Sequence, residues 1–164
     1  MKKAQINHVF MFLIAILIIG AIALIGVRSI SGIMKDKCTA DFVVFKNQIK
    51  QVISGNNDYG SVNYEKINAP CKYEMVCLVD ASQIKNYQLN ESQDFPGNKI
   101  IFSSVKDGVE MNVFLIGKDE VKPVNYVKEL KLSDPKNVLC VKRKGGVFNL
   151  LLKGKGRLTE VSEK

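Results

Sequence analysis

Tryptophan is absent from the 164 residues, and histidine occurs once, as His8. One histidine beside an apolar run cannot serve a distant soluble site, so Ser/His/Asp and Cys/His catalysis are excluded in the rest of the chain. The zinc pattern CxxC is missing, and four cysteines without it give a metal site little support. GxSxG, HExxH, a P-loop and a dinucleotide fingerprint are missing as well. Asp119-Glu120, and Glu91 with Asp94, read as solvated loop acids. Gly145, Gly146, Gly154 and Gly156 fall where turns are expected, and none opens a helix that would cradle a phosphate. These absences predict a non-enzymatic protein with no cofactor, no metal and no small-molecule substrate.

What the chain does have is a long apolar run. Residues 9–27, VFMFLIAILIIGAIALIGV, are nineteen residues without a charge. At helical rise they extend roughly 28 Å, close to the hydrocarbon thickness of a bilayer. A helix apolar all round belongs in lipid or among other helices. The core is too long for a cleavable secretory signal, and Gly26-Val27-Arg28-Ser29 is a poor cleavage site. The expectation is a single-pass anchor whose first partner is the lipid bilayer.

Charge is uneven. Residues 1–54 carry seven basic and two acidic side chains, residues 55–140 ten and twelve, and residues 141–164 seven and two. Both ends are therefore basic, which suits contact with anionic headgroups or an acidic polymer. The C-terminal excess includes Lys142, Arg143, Lys144, Lys153, Lys155 and Arg157, placed at two turns. These six are the candidates for anion contact. Nucleic acid would want several stacking aromatics nearby, and Phe148 alone argues against it.

Beyond Arg28, apolar residues recur as Cys38, Phe42, Phe45, Ile49 and Val52, a stripe along one helix face, and Gly55 is a plausible stop. A helix over residues 5–54 is expected, half in lipid and half amphipathic, loosened at Ser29-Ile30-Ser31-Gly32. Two heptads are too few to argue a coiled coil, so docking on the protein's own sheet is preferred. Strands are expected over 61–67, 72–79, 111–116, 126–132, 138–142, 147–152 and 157–161, with turns at 56–60, 107–108 and 134–137. Residues 99–105 fit strand or helix, and 80–98 form the longest loop. Arg143-Lys144-Gly145-Gly146 marks a hairpin, and the last 35 residues read as a β-meander. The predicted fold class is α+β, one long N-terminal helix with an antiparallel β-meander head. Its divisions are a leader and transmembrane helix at 1–27, an amphipathic continuation at 28–54 and a β-rich extracytoplasmic head at 55–164.

Cys38, Cys71, Cys77 and Cys140 allow two disulfides in three connectivities. Cys77 and Cys140 sit mid-strand and can pair across neighbours that share a face; Cys38 would then reach Cys71.

The start, Lys2-Lys3-Ala4-Gln5 before a long apolar helix, resembles the class III signal peptide of archaeal type IV pilin-like proteins. The resemblance implies a prepilin peptidase cut between Ala4 and Gln5, with other pilin-like subunits as partners. Filament-forming members carry a Glu five residues into the mature chain; that place is Val9 here. The implied role is thus a minor pilin or pseudopilin. Orientation is a near tie by charge, with Lys2 and Lys3 on one side and Arg28, Lys35 and Lys37 on the other. The leader, the cysteines and the sequon Asn90-Glu91-Ser92 favour a cytoplasmic N-terminus and a head outside the cell membrane. The alternative is an uncleaved bitopic anchor whose basic head meets an anionic partner: lipid headgroups, an envelope polymer or nucleic acid.

Overall fold

The computed structural model describes the backbone of residues 3–86, 94–133 and 137–164, with side chains except those of 3–9, 31–35, 85 and 86. The sequon at 90–92 and residues 134–136 of an expected turn lie outside the described residues. The chain is α+β and divides into two compact units, residues 1–39 and 40–164.

Helix α1 (Lys3–Gly55) is helical throughout, without unwinding at Ser29-Ile30-Ser31-Gly32. In the first unit the described large apolar side chains of Phe10–Ile30, Phe10, Leu17 and Leu24 among them, stay exposed. In the second unit the helix becomes one-sided. Phe45, Ile49 and Ile53 are spaced by four and are fully buried, with Phe42 and Val52 half-covered at the flanks. Val43 and Val44 point outward, 50% and 58% exposed. The predicted stripe therefore docks on the protein's own core, and Ile53 extends it.

The helix ends by using its last carbonyls. Asn56 Nδ2 donates to the Val52 carbonyl at 2.7 Å, and Thr159 Oγ1 donates to that of Ile53 at 2.6 Å. Thr159 is fully buried, so this bond both satisfies it and ties the helix end to the last strand.

Eight strands follow: β1 (Val62–Asn68), β2 (Tyr73–Val79), β3 (Val113–Gly117), β4 (Val121–Asn125), β5 (Leu130–Leu132), β6 (Val138–Lys142), β7 (Val147–Gly154) and β8 (Thr159–Glu163). They form two sheets, β1-β7-β8-β5 (sheet A) and β4-β3-β2-β6 (sheet B). Two short helices, α2 (Ala81–Asn86) and α3 (Asn98–Lys106), interrupt them. Alternate residues of β2 and β3 face two different cores. One core joins Val76, Leu78, Val113 and Leu115 to the inner face of sheet A and to α1. The other joins Met75, Phe114 and Ile116 to Ile101 and Val105 of α3.

Four expectations need correction. The loop expected over 80–98 is not all loop, since its residues Ala81–Asn86 form α2. The last strands are not one meander: β6 belongs to sheet B, β7 and β8 to sheet A, and β5 joins β8 in parallel. The turn at Arg143–Gly146 forms, but its ladder stops at the Lys144–Val147 bridge because the chain changes sheets there. Residues 99–105, which fit strand or helix in the sequence, are helix, since Ile101 and Val105, one turn apart, bury a single face. The strand expected over 126–132 survives only as β5. Buried Asn112 explains this: its side chain donates to the Val127 carbonyl and accepts from the Val127 N–H, both at 2.8 Å, so an amide takes the place of a neighbouring strand. Val121–Asn125 form the edge strand β4 instead, where Pro123 needs no donor.

Gly154 accommodates a close crossing. A side chain there would run into the Asp58 carbonyl and the Ser61 hydroxyl.

Core docking of the helix has a direct consequence. Ile49→Ala lowers head stability by about 2–5 kcal/mol, and Val44→Ala by less than about 0.5 kcal/mol, in denaturant unfolding of the full chain in micelles. Equal effects would contradict the docked geometry.

Candidate functional site

The residues singled out by sequence fall in three places. Ala4 and Gln5 lie in the first turns of α1, and their side chains, like that of His8, are outside the described set. Within the same helix, Phe10–Ile30 is 21 residues long and apolar enough to cross a membrane, with none of it buried in the protein.

The four cysteines are all disulfide-bonded. Cys77 and Cys140 stand directly opposite each other on β2 and β6 and are joined, inside the core beneath α3. Their Cα atoms are 4.0 Å apart.

The six basic candidates do not form one patch. Lys142, Arg143 and Lys144 lie at one end of β7, and Lys153, Lys155 and Arg157 at the other. Several are already engaged: Lys144 with Glu163 at 3.4 Å, Lys155 with Glu160 at 3.2 Å, and Arg143 with the Cys71 carbonyl at 3.4 Å.

Strand register assembles a different basic surface. Val62, Tyr64 and Lys66 of β1 face away from the core, opposite Lys153, Leu151 and Asn149 of β7. Lys153 lies beside Glu160 of β8, and Glu160 beside Lys131 of β5. Neighbouring strands are 4.7–4.9 Å apart, which puts the Lys153 and Lys131 backbones about 10 Å apart with Glu160 between. The Lys164 ammonium sits 4.4 Å from the Tyr64 ring centre. The outer face of sheet A thus carries Lys66, Lys131, Lys153 and Lys164 against Glu160. Alternation of Val62, Tyr64 and Lys66 was readable as a face; the long-range pairing that adds Lys131 was not.

A groove of about 400 Å³ opens beside this face, lined by Asp80, Ala81, Ser82, Lys128, Leu130, Lys131 and Leu158. Asp80 looks like a free acid but is fully used. One oxygen accepts from the Ser82 N–H and hydroxyl, capping α2, and the other from the Leu132 N–H at 3.1 Å. Among the described residues no group of three His, Cys, Asp or Glu side chains is placed to hold a metal ion.

A further cluster surrounds Phe42. The Lys122 ammonium lies 3.9 Å from its ring centre, and Tyr73 packs at 6.5 Å. Lys72 pairs with Glu120 at 2.9 Å. The Tyr73 hydroxyl is buried and meets no partner at hydrogen-bonding geometry. Burial first, then the nearby Glu120 carboxylate, push its ionisation well above the ordinary tyrosine range. The Tyr73 hydroxyl and Lys72 in turn hold Glu120 below the usual carboxylate range.

Comparison with known protein families, curated proteins and solved structures finds no match.

The Tyr73 environment predicts an alkaline limb. A raised folded ionisation leaves stability intact below the unfolded tyrosine value of 10.0 and removes it as pH rises beyond. Tyr73→Phe should flatten the decline above pH 10, because the hydroxyl that ionises on unfolding is gone. Denaturant titrations across the alkaline range check this; an identical decline in the variant would refute it.

Proposed function

We propose that this chain is a membrane-anchored, non-enzymatic surface protein of minor-pilin or pseudopilin type, its apolar helix in the bilayer and its head outside the cell membrane. The observation that carries this reading is the change of character along α1. Phe10–Ile30 exposes apolar side chains on every side, while Phe45, Ile49 and Ile53 of the same helix are core residues of a folded head. A surface of the first kind is disfavoured in water and at home in hydrocarbon. Paired cysteines favour an oxidising compartment. Lys2-Lys3-Ala4-Gln5 supplies the leader motif, and the other subunits of an assembly would be pilin-like chains.

The test is N-terminal sequencing of the chain recovered from membranes of cells that also make a prepilin peptidase. A mature start at Gln5 is expected. An intact Met1-Lys2-Lys3 start would overturn the pilin-type reading and leave the uncleaved bitopic anchor, for which the outer face of sheet A supplies a cationic surface toward an anionic partner.

A further inference from the structure

The strands that end the two sheets are not protected alike. β4 carries Lys122 and Pro123, and β5 is three residues long. β6 is half-buried at Leu139 and Cys140. Such features blunt an edge against pairing. β1 has seven residues, no proline, and Val62 and Tyr64 exposed by 53% and 62%.

Its backbone is open as well. The Gly154 N–H donates to the Ser61 carbonyl at one end of the β1–β7 ladder, and the Ala69 N–H to the Gly146 carbonyl at the other. Hydrogen-bonded pairs alternate along an antiparallel ladder. Asn63, Glu65 and Ile67 therefore direct their backbone groups to β7, and Val62, Tyr64, Lys66 and Asn68 direct theirs away from it. Among the described residues no other element bonds to that side.

We propose that β1 is a strand-pairing edge that takes β1 of a second copy of this chain, antiparallel, with Tyr64 meeting Tyr64 at the two-fold axis. The side chains of the strand fit a second copy of itself in that register, and like charges exclude the neighbouring registers. With Tyr64 paired to itself, Val62 lies opposite Lys66, and Asn63, whose amide donates one N–H to the Asn56 side chain and has a second to offer, lies opposite Glu65. The diagonal neighbour of Lys66 is then a Tyr64 ring, a cation–π arrangement. Sliding one step puts Glu65 against Glu65, and one more puts Lys66 against Lys66; like charges directly opposite are destabilising. Sliding the other way gives up a pair, because the Gly60 N–H is already bonded to the Gly154 carbonyl at 3.0 Å. The pairing extends sheet A into a continuous eight-stranded sheet, four strands from each copy. This inference rests on strand geometry and is independent of leader processing.

The experiment uses the full chain in micelles. Paired residues of this type have Cα atoms about 5.5 Å apart, within reach of a disulfide. On mild oxidation Tyr64→Cys should give covalent dimers, as should mixing Val62→Cys with Lys66→Cys, whereas Lys66→Cys alone should not. Tyr64→Pro removes an outward N–H and no bond to β7. It should abolish the dimer in sedimentation while the Cys77–Cys140 bond and the circular dichroism are unchanged. A monomeric chain whose Tyr64→Cys form does not cross-link overturns the proposal. So does cross-linking strongest from Lys66→Cys, or a dimer that Tyr64→Pro leaves intact; the last result, or β1 occupied only by a peptide of another protein, assigns the edge to a different occupant.

Discussion

Burial of Phe45, Ile49 and Ile53 against both sheets is the contact on which the head depends. The inner face of sheet A and one face of sheet B share a single apolar core, and the second part of α1 contributes three of its fully buried side chains. Each is worth about 1.5–3 kcal/mol relative to exposure. Together they are comparable to the whole net stability of a small domain, about 5–15 kcal/mol. The helix is thus a structural member of the head. Its end is fixed by polar bonds of the same kind: Thr159 to the Ile53 carbonyl, and Ser54 to Glu129 at 3.1 Å.

Sheet B works from both sides. Its second face is closed by α3 through Ile101 and Val105, and Cys77–Cys140 joins β2 to β6 within that core. A disulfide between neighbouring strands restrains the unfolded chain across 63 residues of sequence. The two cores leave few apolar side chains over. Among the described residues after α1, large apolar side chains stay exposed at Tyr59, Val62 and Tyr64, which gather at the start of β1 and its preceding turn, and singly at Ile100, Val109 and Leu158. The open edge and the basic outer face of sheet A are therefore two aspects of one region, and strand pairing would extend the cationic face without covering it.

Local pattern carried much of this into the sequence. The helix was legible because apolarity without a break and then a spacing of four and three are strong periodic signals. Strand β2 was legible from its β-branched and aromatic content, and β7 from the turn before it. What was not legible depended on distant partners. Asn112 ends a strand-like run by bonding to Val127, fifteen residues away, and nothing near Val127 announces it. The Arg143–Gly146 turn reads as a hairpin, yet the strands it joins go to different sheets, β6 pairing with β2 and β7 with β1 and β8. The basic candidates were chosen by proximity in sequence, and strand register regrouped them: Lys153 joined Lys66 and Lys131 rather than Lys142. Residues 99–105 were ambiguous since a short apolar run fits either period until its buried face is known.

Native-state hydrogen exchange on the full chain in micelles tests most directly whether α1 is part of the head's core. The account predicts that the amides of residues 46–53 exchange only through the same global opening as those of β2 and β7, with equal dependence on denaturant. Exchange of these helix amides by local fraying, while the strands stay protected, would contradict it.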